Sequence, residues 1–120
     1  MTILLALLFA AAPVEKIEPK AAAALVEKNQ ATLVDVREED EVTAGMAKSA
    51  QWFPMSKMKD PDAFKAFLAK LPKGKVIFYC AAGGRAGRAA EQAKALGYDV
   101  ANMGGFKDWK GAGLPTKDKP

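Results

Sequence analysis

Histidine is absent from these 120 residues and cysteine occurs once, at Cys80. Without histidine there is no Ser-His-Asp triad, no Cys-His pair and no His-ligated metal. One cysteine forms no disulfide within the chain, so the stapling common in small secreted domains is missing too. Any part Cys80 plays is as a thiol or in a bond to another molecule. Dense basic runs interleaved with aromatics are also lacking: the 18 Lys and Arg against 14 Asp and Glu are spread along the chain, so the net charge of +4 does not mark a nucleic-acid surface. A mildly basic surface would still favour small anions. Composition is ordinary globular, with 50% apolar and 27% charged residues. A chain of this length is one domain with one core.

No apolar run is long enough to span a bilayer, which takes about 20 residues. The run Ile3 to Ala12 instead has the length of a signal-peptide core, ends in the small residues Ala10, Ala11 and Ala12, and gives way to Pro13 and a charged stretch. No Lys or Arg precedes it. The reading is a leader over 1–12, a domain over 13–120, export to the periplasm or outside the cell, and no stable membrane insertion once the leader is removed.

What is present alternates between two periodicities. Lys16 to Glu18 reads as a short strand, and Pro19 suits the first turn of a helix continuing through Ala21 to Glu27. Thr32 to Val36 is β-branched and apolar, hence a buried strand. Asp60-Pro61 is an N-cap and first-turn pair, followed by Phe64, Phe67, Leu68 and Leu71 at helical spacing. Val76 to Cys80 is an unbroken apolar strand of the kind buried on both faces of a parallel sheet. A helix from about Arg85 to Leu96 follows, with Ala86, Ala89, Ala90, Ala93 and Leu96 on one arc and Gly97 closing it. Asp99 to Met103 is a last strand, Gly104-Gly105 a turn, and Phe106 to Lys110 a short helix, with Phe106 and Trp109 assigned to the core. The alternation argues for an α/β fold with a mainly parallel sheet.

In such sheets ligands gather at the carboxyl ends of strands, and Cys80 stands there. Gly83 and Gly84 can turn several backbone N–H groups inward, and this nest, the helix N-terminus and Arg85 together favour an anion. A thiolate is an anion and the reactive form of cysteine. A buried, inert cysteine would explain the strand end but not the Gly-Gly-Arg after it.

The segment Cys80-Ala81-Ala82-Gly83-Gly84-Arg85 resembles the Cys-x-x-Gly-x-Arg loop of rhodanese-type sulfurtransferases. Asp35-Val36-Arg37 with Glu41 and Gly45, Gly97-Tyr98 through Asn102-Met103-Gly104-Gly105, and Trp109 with Ala112-Gly113-Leu114-Pro115 resemble further signatures of that family, in order, across Val14 to Lys117. The resemblance implies a rhodanese-like, five-stranded mainly parallel sheet flanked by helices. It implies that Cys80 accepts sulfane sulfur from thiosulfate, a persulfide or a polysulfide and passes it to cyanide, a small thiol or a protein acceptor, with no cofactor and no metal. Ala81, Ala82, Gly83, Gly84 and Arg85 would hold the persulfide, Arg85 neutralising the bound sulfur anion. Asp35 and Arg37 read as structural charges behind the loop, with Glu41 as the ion-pair partner of Arg37. Arg88 supports the positive field, although a solvated surface arginine is the plainer reading.

The chain departs from the family in having Ala86 where Ser or Thr often follows the arginine, and Gly45-Met46-Ala47 where Gly-His-Ile is frequent. It also has no Lys or Arg between Cys80 and Arg85, which reduces the charge available to attract thiosulfate and puts a persulfide or polysulfide donor on an equal footing. Two rivals remain. A cysteine phosphatase or arsenate reductase places five residues between its Cys and Arg, against four here; a non-catalytic module of the same fold would dock a sulfur-carrier partner.

Overall fold

The computed structural model describes residues 13–120; the expected leader lies outside the described residues. The elements in chain order are β1 (Glu15–Lys16), α1 (Pro19–Glu27), β2 (Ala31–Asp35), α2 (Glu39–Val42), β3 (Met46–Ala47), β4 (Gln51–Trp52), a 3-10 turn (Met55–Lys59), α3 (Pro61–Ala69), β5 (Lys75–Cys80), α4 (Gly84–Ala95), β6 (Val100–Gly105), α5 (Phe106–Gly111) and β7 (Thr116–Lys117). Five strands form one sheet in the order β1-β6-β5-β2-β4 with every pairing parallel. This is the α/β architecture expected. Two-residue β3 and β7 pair antiparallel beside it, an addition too short to leave any periodicity in the sequence.

Alternation along β5 divides the core. Val76, Phe78 and Cys80 face α3 and α4, where they meet Phe64, Leu68 and the alanines Ala86, Ala89, Ala90 and Ala93. Ile77 and Tyr79 face the opposite layer, with Ala22 of α1, Met46 of β3 and Trp109 of α5. The α4 alanines are fully buried, as their arc predicts, and a methyl group in each place lets the helix lie close on the strands. Leu96, assigned to the same arc, is instead 41% exposed. It is the C-terminal cap, outside helical geometry at φ −87° and ψ 1°, so the arc ends before it.

Asp60 caps α3 as expected, accepting from the N–H of Asp62 and Ala63. Gly104-Gly105 is not a turn: β6 continues through both. Its pairing with β5 shifts between Phe78 and Tyr79, because Phe78 faces Asn102 and Tyr79 faces Gly104, leaving Met103 as an extra residue. Such a bulge re-aims the strand end. Here it presses Gly105 against the loop after Cys80.

Candidate active site

Cys80 ends β5 at the carboxyl edge of the sheet, 1% exposed, its side chain turned toward the first turn of α4. Its Sγ accepts hydrogen bonds from the N–H of Gly83 at 2.9 Å and of Ala86 at 3.4 Å. The first requires the loop to double back, which Gly83 permits at φ +107°, a region costly to any residue with a Cβ. The second donor lies outside the stretch Ala81 to Arg85 singled out by sequence. Ala86 lacks the hydroxyl often found at that position but supplies its backbone N–H instead. Among the described residues, the N–H groups of Ala81, Ala82, Gly84 and Arg85 have no protein acceptor.

Two residues of β6 hold this loop in place. Asn102 Nδ2 donates to the Gly83 carbonyl at 3.0 Å, while its Oδ1 accepts from the Gly104 N–H at 2.8 Å. One side chain thus ties the turn to the bulge. Gly105 lies so close that a Cβ there would run into the carbonyl oxygen of Ala81. Neither contact was assigned from sequence. Both depend on the β5–β6 register, which composition does not reveal.

The charged residues pair differently from the expectation that joined Arg37 to Glu41. Arg37 is 5% exposed and bound to Asp35, which is fully buried: Nε reaches both carboxylate oxygens at 3.0 and 3.1 Å, and Nη2 reaches Oδ2 at 2.8 Å. Nη2 also donates to the Gly45 carbonyl at 2.7 Å. Asp35, only two residues away and enclosed, wins the guanidinium because it has no water to turn to. Glu41 instead grips Arg85 in two parallel bonds of 2.7 and 2.9 Å. That hydrogen-bonded pairing lowers the Glu41 carboxyl to about 2 and holds the Arg85 guanidinium firmly protonated. Arg85 therefore braces the first turn of α4 against α2, and its guanidinium also feels the charge of Cys80. Arg88 is exposed, as the plainer reading had it.

Phe106 also departs from its core assignment. Half-buried, it stacks on Tyr79 with ring centroids 6.0 Å apart and carries the Arg37 guanidinium 4.4 Å from its own centroid. It walls a cavity of about 310 Å³ together with Arg37, Ala81, Lys107 and Lys110. Trp109 is core, buried and donating through Nε1 to the Pro115 carbonyl. A larger open groove of about 1130 Å³ runs past Ala82 and Gly83 on the other side of the loop.

The arrangement is a buried cysteine sulfur that accepts from two backbone N–H groups. Known proteins are similar to this chain in sequence and in fold. A human protein named thiosulfate:glutathione sulfurtransferase is 31% identical over 96 residues, covering 71% of this chain and 84% of its own. Among solved structures, a rhodanese-related protein from Thermoplasma volcanium superposes with a TM-score of 0.72 at 23% identity, over 88% of this chain and 99% of its own. An E. coli structure described as rhodanese with anions gives 0.59 at 27% identity, over 75% of this chain and 99% of its own. The model of the rhodanese-like domain matches residues 18–112, from the end of β1 to the end of α5 and so across all the elements that build the Cys80 loop; this chain belongs to the rhodanese-like family.

Proposed function

We propose that the protein is a sulfurtransferase in which Cys80 cycles between thiolate and persulfide. The observation that carries this reading is the pair of backbone N–H groups, Gly83 and Ala86, aimed at an otherwise isolated Sγ. Such donors favour sulfur in its anionic state, and fixed donors need no rearrangement when charge moves onto the site.

In the first half-reaction the Cys80 thiolate attacks the outer sulfur of thiosulfate. A new S–S bond forms at Sγ, the bond between that sulfur and the sulfonate breaks, and sulfite leaves with its electron pair. A persulfide or polysulfide donor reacts in the same way, releasing a thiolate or a shorter polysulfide. In the second half-reaction a nucleophile, cyanide or a thiolate, attacks the terminal persulfide sulfur. The electron pair returns to Sγ, giving thiocyanate or a new persulfide and restoring the thiolate. The unpaired N–H groups of Ala81, Ala82, Gly84 and Arg85 are the donors left for the added sulfur. The relative's name, thiosulfate:glutathione sulfurtransferase, supports a small thiol as acceptor. The apolar run Ile3 to Ala12 supports action outside the cytoplasm.

Intact-mass spectrometry tests the reading. After incubation with thiosulfate or polysulfide the protein should gain the mass of one sulfur, cyanide should remove it, and Cys80→Ser should not gain it. A wild-type protein that never acquires cyanide-removable sulfur would leave the fold as a docking module instead.

A further inference from the structure

The Cys80 loop carries no cation between the nucleophile and Arg85, and Arg85 itself is engaged by Glu41. An anionic donor would meet backbone N–H groups there but no uncommitted side-chain cation. The fold, however, brings positive charge to the lip of the loop from two other places. Arg37 commits Nε and Nη2 to Asp35 and Gly45, and its guanidinium lies over the rings of Phe106 and Tyr79. The small part of Arg37 that is open lines the cavity beside Ala81. From α5, Lys107 and Lys110 line the same cavity, and neither has an ion-pair partner among the described residues. Lys110 Nζ stands 5.7 Å from the centroid of the Phe106 ring that also carries Arg37. One ring thus gathers two cations, and no carboxylate lines the cavity. The larger groove past Gly83 is different, mixing Lys16, Lys20 and Lys107 with Glu18 and Asp108.

We propose that Arg37, Lys107 and Lys110, arranged around Phe106, form an anion-recognition bay that selects the oxyanionic end of the sulfur donor before its sulfane sulfur reaches Cys80. The proposal rests on the sulfurtransferase reading and names its donor class as sulfur oxyanions of the thiosulfate type. The chemistry of the bay fits that class. Arg37, stiffened by Asp35 and by the ring beneath it, offers a fixed positive charge; the two lysines are mobile point charges that raise the local anion concentration. After transfer the same charges meet the departing sulfite dianion. Charge missing from the loop is supplied by α5.

Paired alkylating agents test the bay independently of sulfur transfer. Iodoacetate and iodoacetamide both form an Sγ–carbon bond and release iodide, but only iodoacetate is an anion. In the full chain carrying Lys107→Gln and Lys110→Gln together, the iodoacetate rate at Cys80 should fall about tenfold at low ionic strength, the lower end of what a focused field adds to an encounter. The iodoacetamide rate should change less than about twofold, which also verifies that the loop remains folded; the difference should vanish near 1 M salt, where charges are screened within about 3 Å. The second-order rate of sulfur loading from thiosulfate should drop in parallel with iodoacetate. Lys65→Gln, which removes an exposed charge on α3, across the sheet from α5, should leave the selectivity as it was. An unchanged iodoacetate-to-iodoacetamide ratio in the double variant overturns the proposal. A lost ratio in a protein that neither thiosulfate nor polysulfide loads would uphold the bay and reject the sulfurtransferase reading.

Discussion

At the scale of single residues the site depends on polar side chains that never touch the sulfur. Asp35 is enclosed with the guanidinium of Arg37, and removing one member of a buried pair leaves an uncompensated charge. Asp35→Ala should therefore cost about 3–5 kcal/mol, read as a lower denaturant midpoint at an unchanged slope. Asn102 acts more locally. Asn102→Ala removes two hydrogen bonds at the loop, worth about 1 kcal/mol each, yet sulfur loading should slow by more than that loss of stability suggests. The reason is that Gly83, whose carbonyl Asn102 holds, presents its N–H to Sγ. As a positioning residue it should lower kcat for thiosulfate with little change in KM. Asn102→Asp should be worse than Asn102→Ala, since it sets an acceptor against the Gly83 carbonyl. Equal effects of the two on stability and on kcat would mean that Asn102 serves the fold alone.

At the scale of elements, legibility followed the length of the pattern. The apolar run of β5, the capped start of α3 and the alanine arc of α4 were readable because each repeats a physical requirement over several residues. The strands β3 and β7, of two residues each, and the 3-10 turn at Met55–Lys59 repeat nothing. The bulge in β6 was hidden for another reason: Gly104-Gly105 is a turn signal locally, and pairing with β5 keeps both in the strand although Gly104 has φ +94°. Helix α4 shows what the readable pattern accomplishes. Its buried alanines set its distance from the sheet, and Ala86 in its first turn delivers an N–H to Sγ. Ala89→Leu should overpack that interface, costing about 1–3 kcal/mol. The displaced helix should also alter iodoacetamide reactivity at Cys80, whereas a midpoint and reactivity matching wild type would mean that α4 has slack against the sheet.

Across the whole molecule, the site joins groups far apart in sequence, and there the residues alone identified partners less well than positions. Cys80, Arg85, Asp35 and Arg37 were all placed near one another by motif. Which carboxylate faces which guanidinium was decided by burial and by the direction of α2, giving Asp35–Arg37 and Glu41–Arg85. The second pair bridges 44 residues of chain and makes the whole fold sensitive to acid. Glu41 is held at about 2 in the folded protein against an ordinary 4.5, chiefly by the hydrogen bond from Arg85. The unfolded chain therefore binds this proton first as pH falls. Stability from the pair is full above about 4.5 and disappears as pH drops through 4.5 toward 2. With 29% of the Glu41 side chain exposed, solvent screening limits the contribution to about 1–2 kcal/mol. Glu41→Gln should be less stable than wild type by that amount at pH 7, and the gap should close across the same interval until the two unfold alike near pH 2. Chemical denaturation at a series of pH values measures this. A gap that stays constant down to pH 2 would show that the substitution disturbs packing, and that the charge on Glu41 is not what joins α2 to the first turn of α4.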